Sequence, residues 1–430
     1  MTAAGLGWRS RLAVGAVRVA NGASRRLGQG SGTVAGGRAG LAIDPSLLAR
    51  LATGRRVAIV SGTNGKTTTT SLLVRALTPA GSPTTVATNT TGANMPAGHV
   101  AALVASPGAS RAVLEVDEGY VARLVADTVP DVVVLLNLSR DQLDRVAEVR
   151  MVADAWREAL AGRGPETVVV ANADDPLVTY AARAATSVRW VGAGLVWGAD
   201  AVGCPACGGR VRTDSGGPGW ACDSCDLARP PTTAELADDG VRLDGGEVVA
   251  MRVALPGRFN RANALMAAVA AAASAPAGGI AAPTLTEALE RIATVGEVAG
   301  RFGVVRRGGV DARLMLAKNP AGWTAILDLL DEEARSGRPS PPLVLAVNAR
   351  TADGHDPSWL WDVPYERLAG RQVVATGDRC RDLAVRLRYA EVDHFTDPDP
   401  ASALRRAGPG GGSVDVIANY TAFRDLREGR

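Results

Sequence analysis

The sequence contains almost no lysine. Of 47 basic side chains only Lys66 and Lys318 are lysines, and the rest are arginines. A GC-rich coding bias writes Arg wherever any cation will serve, so the two remaining lysines mark places where a compact ammonium suits better than a planar fork. Aromatics are scarce (4%), and there are three histidines, His99, His355 and His394. Five cysteines in 430 residues are too few for a disulfide scaffold. No apolar run is long enough to span a bilayer. The net charge of +3 is too small to indicate nucleic-acid binding. With 47% apolar and 21% charged residues, disordered and collagen-like chains are excluded. The length allows two or three domains.

The first 40 residues carry six arginines and no acid, and Arg18 interrupts the apolar stretch 12–20. That is a poor signal-peptide core. It reads either as a helix lying on an anionic membrane surface or as a basic solvated helix packed on the next domain. The expected location is cytoplasmic, free or at the inner face of the cell membrane.

Short apolar runs at 57–60, 85–87, 112–116, 132–136 and 167–171 alternate with helical segments, the pattern of a parallel sheet covered on both faces. Asp44-Pro45 reads as an N-cap with Pro at the first helical position, opening a helix through Leu51. Residues 200–250 break the alternation with cysteines, Gly/Pro turns and short β-like pieces at 241–243 and 248–253, and read as an insertion. Helices follow at 260–273 and 285–292, then a hinge at 296–301. A second α/β pattern runs from there: strands 313–316, 343–347, 372–376 and 414–417, with helices 322–330 and 378–389.

Two motifs carry chemistry. Ser61-Gly62-Thr63-Asn64-Gly65-Lys66-Thr67-Thr68 follows a buried strand and opens a helix. Glycines let backbone N–H groups close on phosphate oxygens, and the helix N-terminus adds its positive end. Lys66 would reach the terminal phosphates, and the Thr67 hydroxyl could hold Mg²⁺. Val60 stands where the common Walker spacing has its first glycine. The second motif is Cys204-x-x-Cys207, fourteen residues, then Cys222-x-x-Cys225, a zinc-ribbon spacing. Four thiolates close a tetrahedron, which favours a structural role for Zn²⁺. Arg210, Arg212 and Arg229 are expected to face Asp214, Asp223 and Asp226, which argues against a nucleic-acid-binding ribbon.

The phosphate loop resembles that of the Mur ligase superfamily, which forms amide bonds in cell-wall synthesis, and the resemblance covers residues 55–430. Val113-Leu-Glu115 resembles the strand bearing the family's magnesium-binding Glu. Residues 137–145 resemble its Asn-x-x-x-Asp-His-x-Asp-Arg block, with Gln142 in place of His. Asn260 and Asn263 match the helix start whose Asn contacts adenine, and Gly300-Arg301 the entry to the C-terminal domain. Ala317-Lys318-Asn319-Pro320 matches an Ala-His-Asn-Pro turn. Glu118 is a second choice for the metal. Near Trp156-Arg157 there is no lysine to become carbamylated, and about 60 residues before the loop are too few for a UDP-binding domain.

These departures, the cysteines and the segments 352–362 and 377–390 resemble a branch of the superfamily that amidates a lipid-linked substrate. The resemblance implies a basic segment 1–44 and a central ATP-binding α/β domain over 45–298 with a zinc-ribbon insertion near 200–230. A Rossmann-like α/β domain over 299–430 would follow. It also implies ATP-dependent conversion of the D-glutamate α-carboxylate of lipid II to the amide through an acyl phosphate, at the membrane surface. The residues to carry it are Lys66, Lys318 and Glu115. Cys380 lies between arginines on an expected helix, and no histidine forms a readable dyad with it, so the ammonia would come from a separate GatD-type glutaminase in a heterodimer. Asp356 would complete that partner's Cys–His pair across the interface. Asp356-Pro357 is equally a helix N-cap with Pro at the first position. Two other functions remain open at this level: a Mur-type ligase adding a free amino acid, and a non-catalytic ATP-binding activator of a glutaminase.

Overall fold

A computed structural model describes residues 6–26, 33–79, 81, 85–90, 93–140, 149–194, 199–214, 218–238, 240–244, 246–296 and 302–429. The chain divides into two compact units. One comprises Met1–Leu138, Ala147–Ala254 and Asn260–Gly296; the other comprises Ser139–Val146, Leu255–Phe259 and Glu297–Arg430.

The first unit is built on strands β1 (Arg56–Ser61), β2 (Val86–Thr88), β3 (Arg111–Glu115), β4 (Val132–Leu135), β5 (Val168–Asn172) and β6 (Ser187–Gly192). The cores of β1, β4 and β5 are unbroken runs such as Val-Ala-Ile-Val, the composition of strands covered on both faces. A small hairpin, β7 (Val211–Thr213) and β8 (Trp220–Cys222), stands apart. Then β9 (Ala234–Leu236), β10 (Gly240–Leu243) and β11 (Val248–Ala250) return to the sheet. The order is β11-β10-β9-β6-β5-β4-β1-β3-β2. All pairs from β2 to β9 are parallel, and β9-β10-β11 is an antiparallel meander. The insertion expected over 200–250 is therefore shorter: its last third is sheet, because β9 finds a free edge on β6.

The basic segment is also part of this unit. Helices α1 (Trp8–Arg26), α2 (Thr33–Ile43) and α3 (Leu47–Ala52) precede β1. Ala13, Val14 and Val17 of α1 join one buried cluster with Leu47, Leu48, Ile59 and Leu114. The glycines of α2 are contact points. A Cβ on Gly37 would lie 1.8 Å from the Ala97 carbonyl oxygen, and one on Gly40 2.5 Å from the Val17 side chain. Asp44 is not the N-cap: the helix starts at Leu47 after Ser46. Asp44 instead accepts from the Ser10 hydroxyl at 2.6 Å and the Ser46 N–H at 3.1 Å, tying α3 to α1. Helices α4 (Lys66–Leu77) and α5 (Pro96–Ala105) follow β1 and β2.

The second unit holds β12 (Phe302–Arg307), β13 (Val310–Leu316), β14 (Leu343–Ala346), β15 (Val373–Thr376), β16 (His394–Thr396) and β17 (Ser413–Ala418). The order is β12-β13-β17-β14-β15-β16, parallel except for the β12–β13 hairpin. The helix Pro320–Arg335 is capped by Asn319, whose side chain accepts from Gly322 N at 2.9 Å, with Pro at the first position. Trp323, Trp359 and Tyr365 fill the layer between this helix and the sheet.

Candidate active site

The end of β1 passes through residues 62–65 into α4, and each step of the turn has a cause. Gly62 sits at φ 143°, where a Cβ would come within 2.8 Å of Leu136. Gly65 is the N-cap of α4 at φ 86°, in the left-handed region. A Cβ there would lie 2.4 Å from Asn263 Oδ1. Asn137, just past β4, pins the loop from the side. Its Oδ1 accepts from Asn64 N at 2.9 Å, its Nδ2 donates to Asn64 O at 3.0 Å, and its carbonyl accepts from Thr63 N at 3.0 Å. Sequence reasoning gave Asn137 no role of its own beyond opening the resembling block. The signal that could have found it is an amide side chain directly after a buried strand.

Lys66 is 5% exposed. Its ammonium donates to Gly62 O at 2.6 Å and Thr63 O at 3.2 Å, and pairs with Glu118 Oε2 at 3.0 Å. Glu118 is held in turn by Trp156, whose indole donates to the Glu118 carbonyl at 2.9 Å. Glu118, the second choice for a metal, is thus the partner of the loop cation. Arg157 donates to Tyr180 O at 2.7 Å and stacks over that ring.

Glu115 ends β3 in register with Val60 of β1. Its backbone is fixed on both sides: Asn89 Oδ1 accepts from Glu115 N and Asn89 Nδ2 donates to Glu115 O, both at 2.8 Å. His99 Nε2 donates to the same carbonyl at 2.8 Å. Burial pushes the His99 imidazole down to about 4, so it is neutral. Glu115 is 3% exposed, and its Oε2 has no hydrogen-bond partner among the described residues. A buried, orphaned carboxylate oxygen at the strand end beside the phosphate loop, with the Thr67 hydroxyl on the first turn of α4, is a hard-oxygen donor set that suits Mg²⁺. Asn260 and Asn263 are both buried on the helix Arg258–Ala273, with Asn263 against Gly65. Thr63, Thr67 and Thr68 are buried at the turn. Arg301, Gly300 and the block from Asp141 to Arg145 lie outside the described residues.

The second unit carries the two remaining residues. Lys318 precedes the helix Pro320–Arg335. Asp356 is exposed on the segment after β14, where its Oδ1 accepts from Ser358 N at 2.8 Å. That bond holds its carboxyl below the usual carboxylate range. Asp356 is not the N-cap: the short 3-10 helix Ser358–Asp362 starts after Pro357, and the Asp356 carboxylate instead closes a turn onto Ser358 just ahead of it, which leaves the acid at the surface. Trp359 is buried, with its ring 6.2 Å from Trp323, while Trp361 is exposed and meets Tyr389 edge-on at 5.3 Å. Cys380 is buried, and burial pushes its thiol up, away from the thiolate a nucleophile needs.

The four remaining cysteines converge. Cys204 and Cys225 sulfurs are 3.6 Å apart, Cys207 and Cys222 3.5 Å, and all four lie within 4.8 Å of one another. Thiolates at about 2.3 Å from a tetrahedral Zn²⁺ would stand about 3.8 Å apart, so the cluster fits that ion. Trp220 anchors the ribbon, donating to Ala173 O at 3.0 Å. Arg212 pairs with Asp223 as expected. Arg229 does not face Asp226: it pairs with Asp174 at 2.6 Å and Glu235 at 2.8 Å, while Asp226 takes Arg183. The ribbon base is thus fastened to the main sheet.

Family models match twice: Mur ligase middle domain over residues 60–197, and MurT ligase C-terminal over 316–423. The chain is 30% identical over 439 residues to the lipid II isoglutaminyl synthase (glutamine-hydrolyzing) subunit MurT of Streptococcus pneumoniae, covering 94% of this chain and 93% of that protein. It is 29% identical over 443 residues to the subunit of the same name from Staphylococcus aureus, covering 98% and 97%. Among solved structures, a pseudomurein peptide ligase type C from Methanothermus fervidus superposes with a TM-score of 0.65 at 18% identity, over 89% of this chain and 80% of that one. This last likeness establishes the fold.

Proposed function

Because the chain belongs to the MurT family of Mur ligases, we propose that it is the amide-forming subunit of a lipid II isoglutaminyl synthase. The ATP phosphates would lie on the N–H groups of Gly62 to Thr68 with Lys66 beside them, and Asn260 and Asn263 would face the adenine. Glu115 and Thr67 would hold Mg²⁺, which offsets phosphate charge when bound. The observation that most supports this is the Glu115 carboxylate, buried beside the loop with an oxygen left unpaired.

The chemistry follows from the substrate. A carboxylate resists nucleophiles because of its charge. Its oxygen attacks the terminal phosphorus of ATP, ADP leaves, and an acyl phosphate results. Ammonia then adds to the acyl carbon, phosphate departs, and one proton is released with the amide. Lys66 would stabilise charge on the transferring phosphoryl. Lys318 is assigned to the substrate side. Ammonia would come from a GatD-type glutaminase bound as a second subunit, with Asp356 orienting its catalytic histidine. The cysteine ribbon would hold Zn²⁺ structurally. The lipid-linked substrate places the work at the inner membrane surface, although no helix among the described residues is long and apolar enough to cross a membrane.

The test is direct. The purified chain with its glutaminase, lipid II, glutamine and Mg·ATP should release ADP and convert the D-glutamate carboxyl to the amide. Ammonia should replace glutamine and partner. Amino-acid attachment instead of amidation would indicate an ordinary Mur-type ligase. Glutamine hydrolysis without substrate-dependent phosphate release would indicate an activator only.

A further inference from the structure

Helix α1 has two unlike faces. Ala13, Val14 and Val17 point into the core, and the Ser10 hydroxyl is tied to Asp44. The opposite side carries Trp8, Leu12 and Val19, exposed to 75%, 59% and 73%. At about 100° per residue these three fall within about 40° of one another, and Arg11, Arg18 and Arg26 fall in the same outward sector of about 120°. Gly15 and Gly22 lie between them with nothing within 4 Å of a Cβ position. No acid occurs before Asp44. Arg18 makes no hydrogen bond or ion pair among the described residues. It lines a shallow open groove together with Arg50, Leu51, Leu103 and Val104.

We propose that the outward face of α1 is a docking surface for an anionic phospholipid bilayer. Trp8, Leu12 and Val19 would enter the headgroup boundary, and Arg11, Arg18 and Arg26 would meet lipid phosphates. Three large apolar side chains in water on a short stripe need a cover. A stripe edged by cations and free of acids complements a negative, soft surface more closely than it complements a second copy of itself, which would set arginine against arginine. Because the inner face of α1 belongs to the core of the first unit, docking would bring the nucleotide-binding unit itself to the lipid. The lipid-linked substrate proposed above gives this surface its purpose, but the assignment stands on the helix alone. Vesicle binding needs no ATP, partner or substrate, so its failure and a failure of amidation are separate results.

The full chain should be sedimented with vesicles of phosphatidylcholine alone and of phosphatidylcholine mixed with phosphatidylglycerol. The wild type should pellet with the anionic vesicles, stay in solution with the neutral ones, and be released by salt. Arg11→Glu with Arg18→Glu should weaken partitioning more than tenfold. So should Trp8→Ser with Leu12→Ser. All four side chains are exposed, so circular dichroism should match the wild type; the two variants remove charge and apolar contact separately. Equal pelleting with both vesicle types, none with either, or variants that bind as the wild type would overturn the proposal. Lipid-free self-association of the wild type that both variants abolish would overturn it too, assigning the face to a second copy of the chain.

Discussion

Replacing Gly65 by alanine tests the closure of the phosphate loop most sharply. Two costs are separable. The left-handed backbone at φ 86° costs an alanine about 1–2 kcal/mol. The new Cβ would also meet Asn263 Oδ1 at 2.4 Å, where ordinary contact begins at 3.4 Å, so Asn263 must retreat by about 1 Å. Asn263 is proposed at the adenine, and the loop N–H groups at the phosphates. Affinity for a non-hydrolysable ATP analogue should therefore fall at least tenfold, or about 1.4 kcal/mol. Gly54→Ala is the control: it has φ 78° with nothing within 4 Å of its Cβ. It should lower the urea midpoint by a similar strain cost and leave the nucleotide untouched. In a double-mutant cycle, Asn263→Ala should cost less in the Gly65→Ala background than in the wild type, because the clash is gone. Calorimetric titration and urea unfolding measure both. Additivity within about 0.5 kcal/mol, with unchanged nucleotide affinity, would refute the closure described.

Four further outcomes are expected. Glu118→Gln leaves the buried Lys66 ammonium without its carboxylate and should lower stability by about 1–3 kcal/mol; an unmoved urea midpoint would show that the pair is unimportant. Asp356→Asn should stop glutamine hydrolysis in the two-subunit complex while ATP-analogue binding persists, and undiminished ammonia release would remove that assignment. His99, neutral and held at about 4 in the fold against 6.5 when unfolded, contributes stability above pH 6.5 that is lost as pH falls toward 4, roughly 3 kcal/mol in all. His99→Gln should flatten that slope in urea titrations run across the interval. Anaerobically purified protein should contain about one zinc per chain, reduced in Cys225→Ser, as read by elemental analysis; a metal-free wild type would count against the ribbon site.

The nucleotide half of the site was legible because it is local. Val57 to Lys66 writes strand, glycine turn and helix in ten consecutive residues, and the CxxC pairs carry their own spacing. What was not legible depends on distant neighbours. The Lys66–Glu118 pair joins residues 52 apart. Gly36, Gly37 and Gly40 look like a linker, yet they sit in a helix whose close approach to α5 and α1 only glycine permits. Strand β6 alternates Val-Arg-Trp-Val and is half exposed, so it lacks the continuous apolar run that marked β1 and β4. Strand β9 is three residues long and carries no run of its own, and although 241–243 and 248–253 read as β-like pieces, their joining the main sheet through β9 depends on the edge of β6. Asp44-Pro45 satisfied a capping rule, but the carboxylate found a better donor in Ser10, 34 residues away.

The three hydrogen bonds that join Asn137 to Thr63 and Asn64, two accepted and one donated by Asn137, give the phosphate loop its shape before any guest arrives. The cradle is an outgrowth of the sheet, as stiff as the strand that supports it. Nucleotide capture should accordingly proceed in one kinetic phase, with a rate linear in ligand concentration and no slow isomerisation afterwards. Asn137→Gly should introduce that slow phase, turning a rigid socket into one that must be moulded on each turnover.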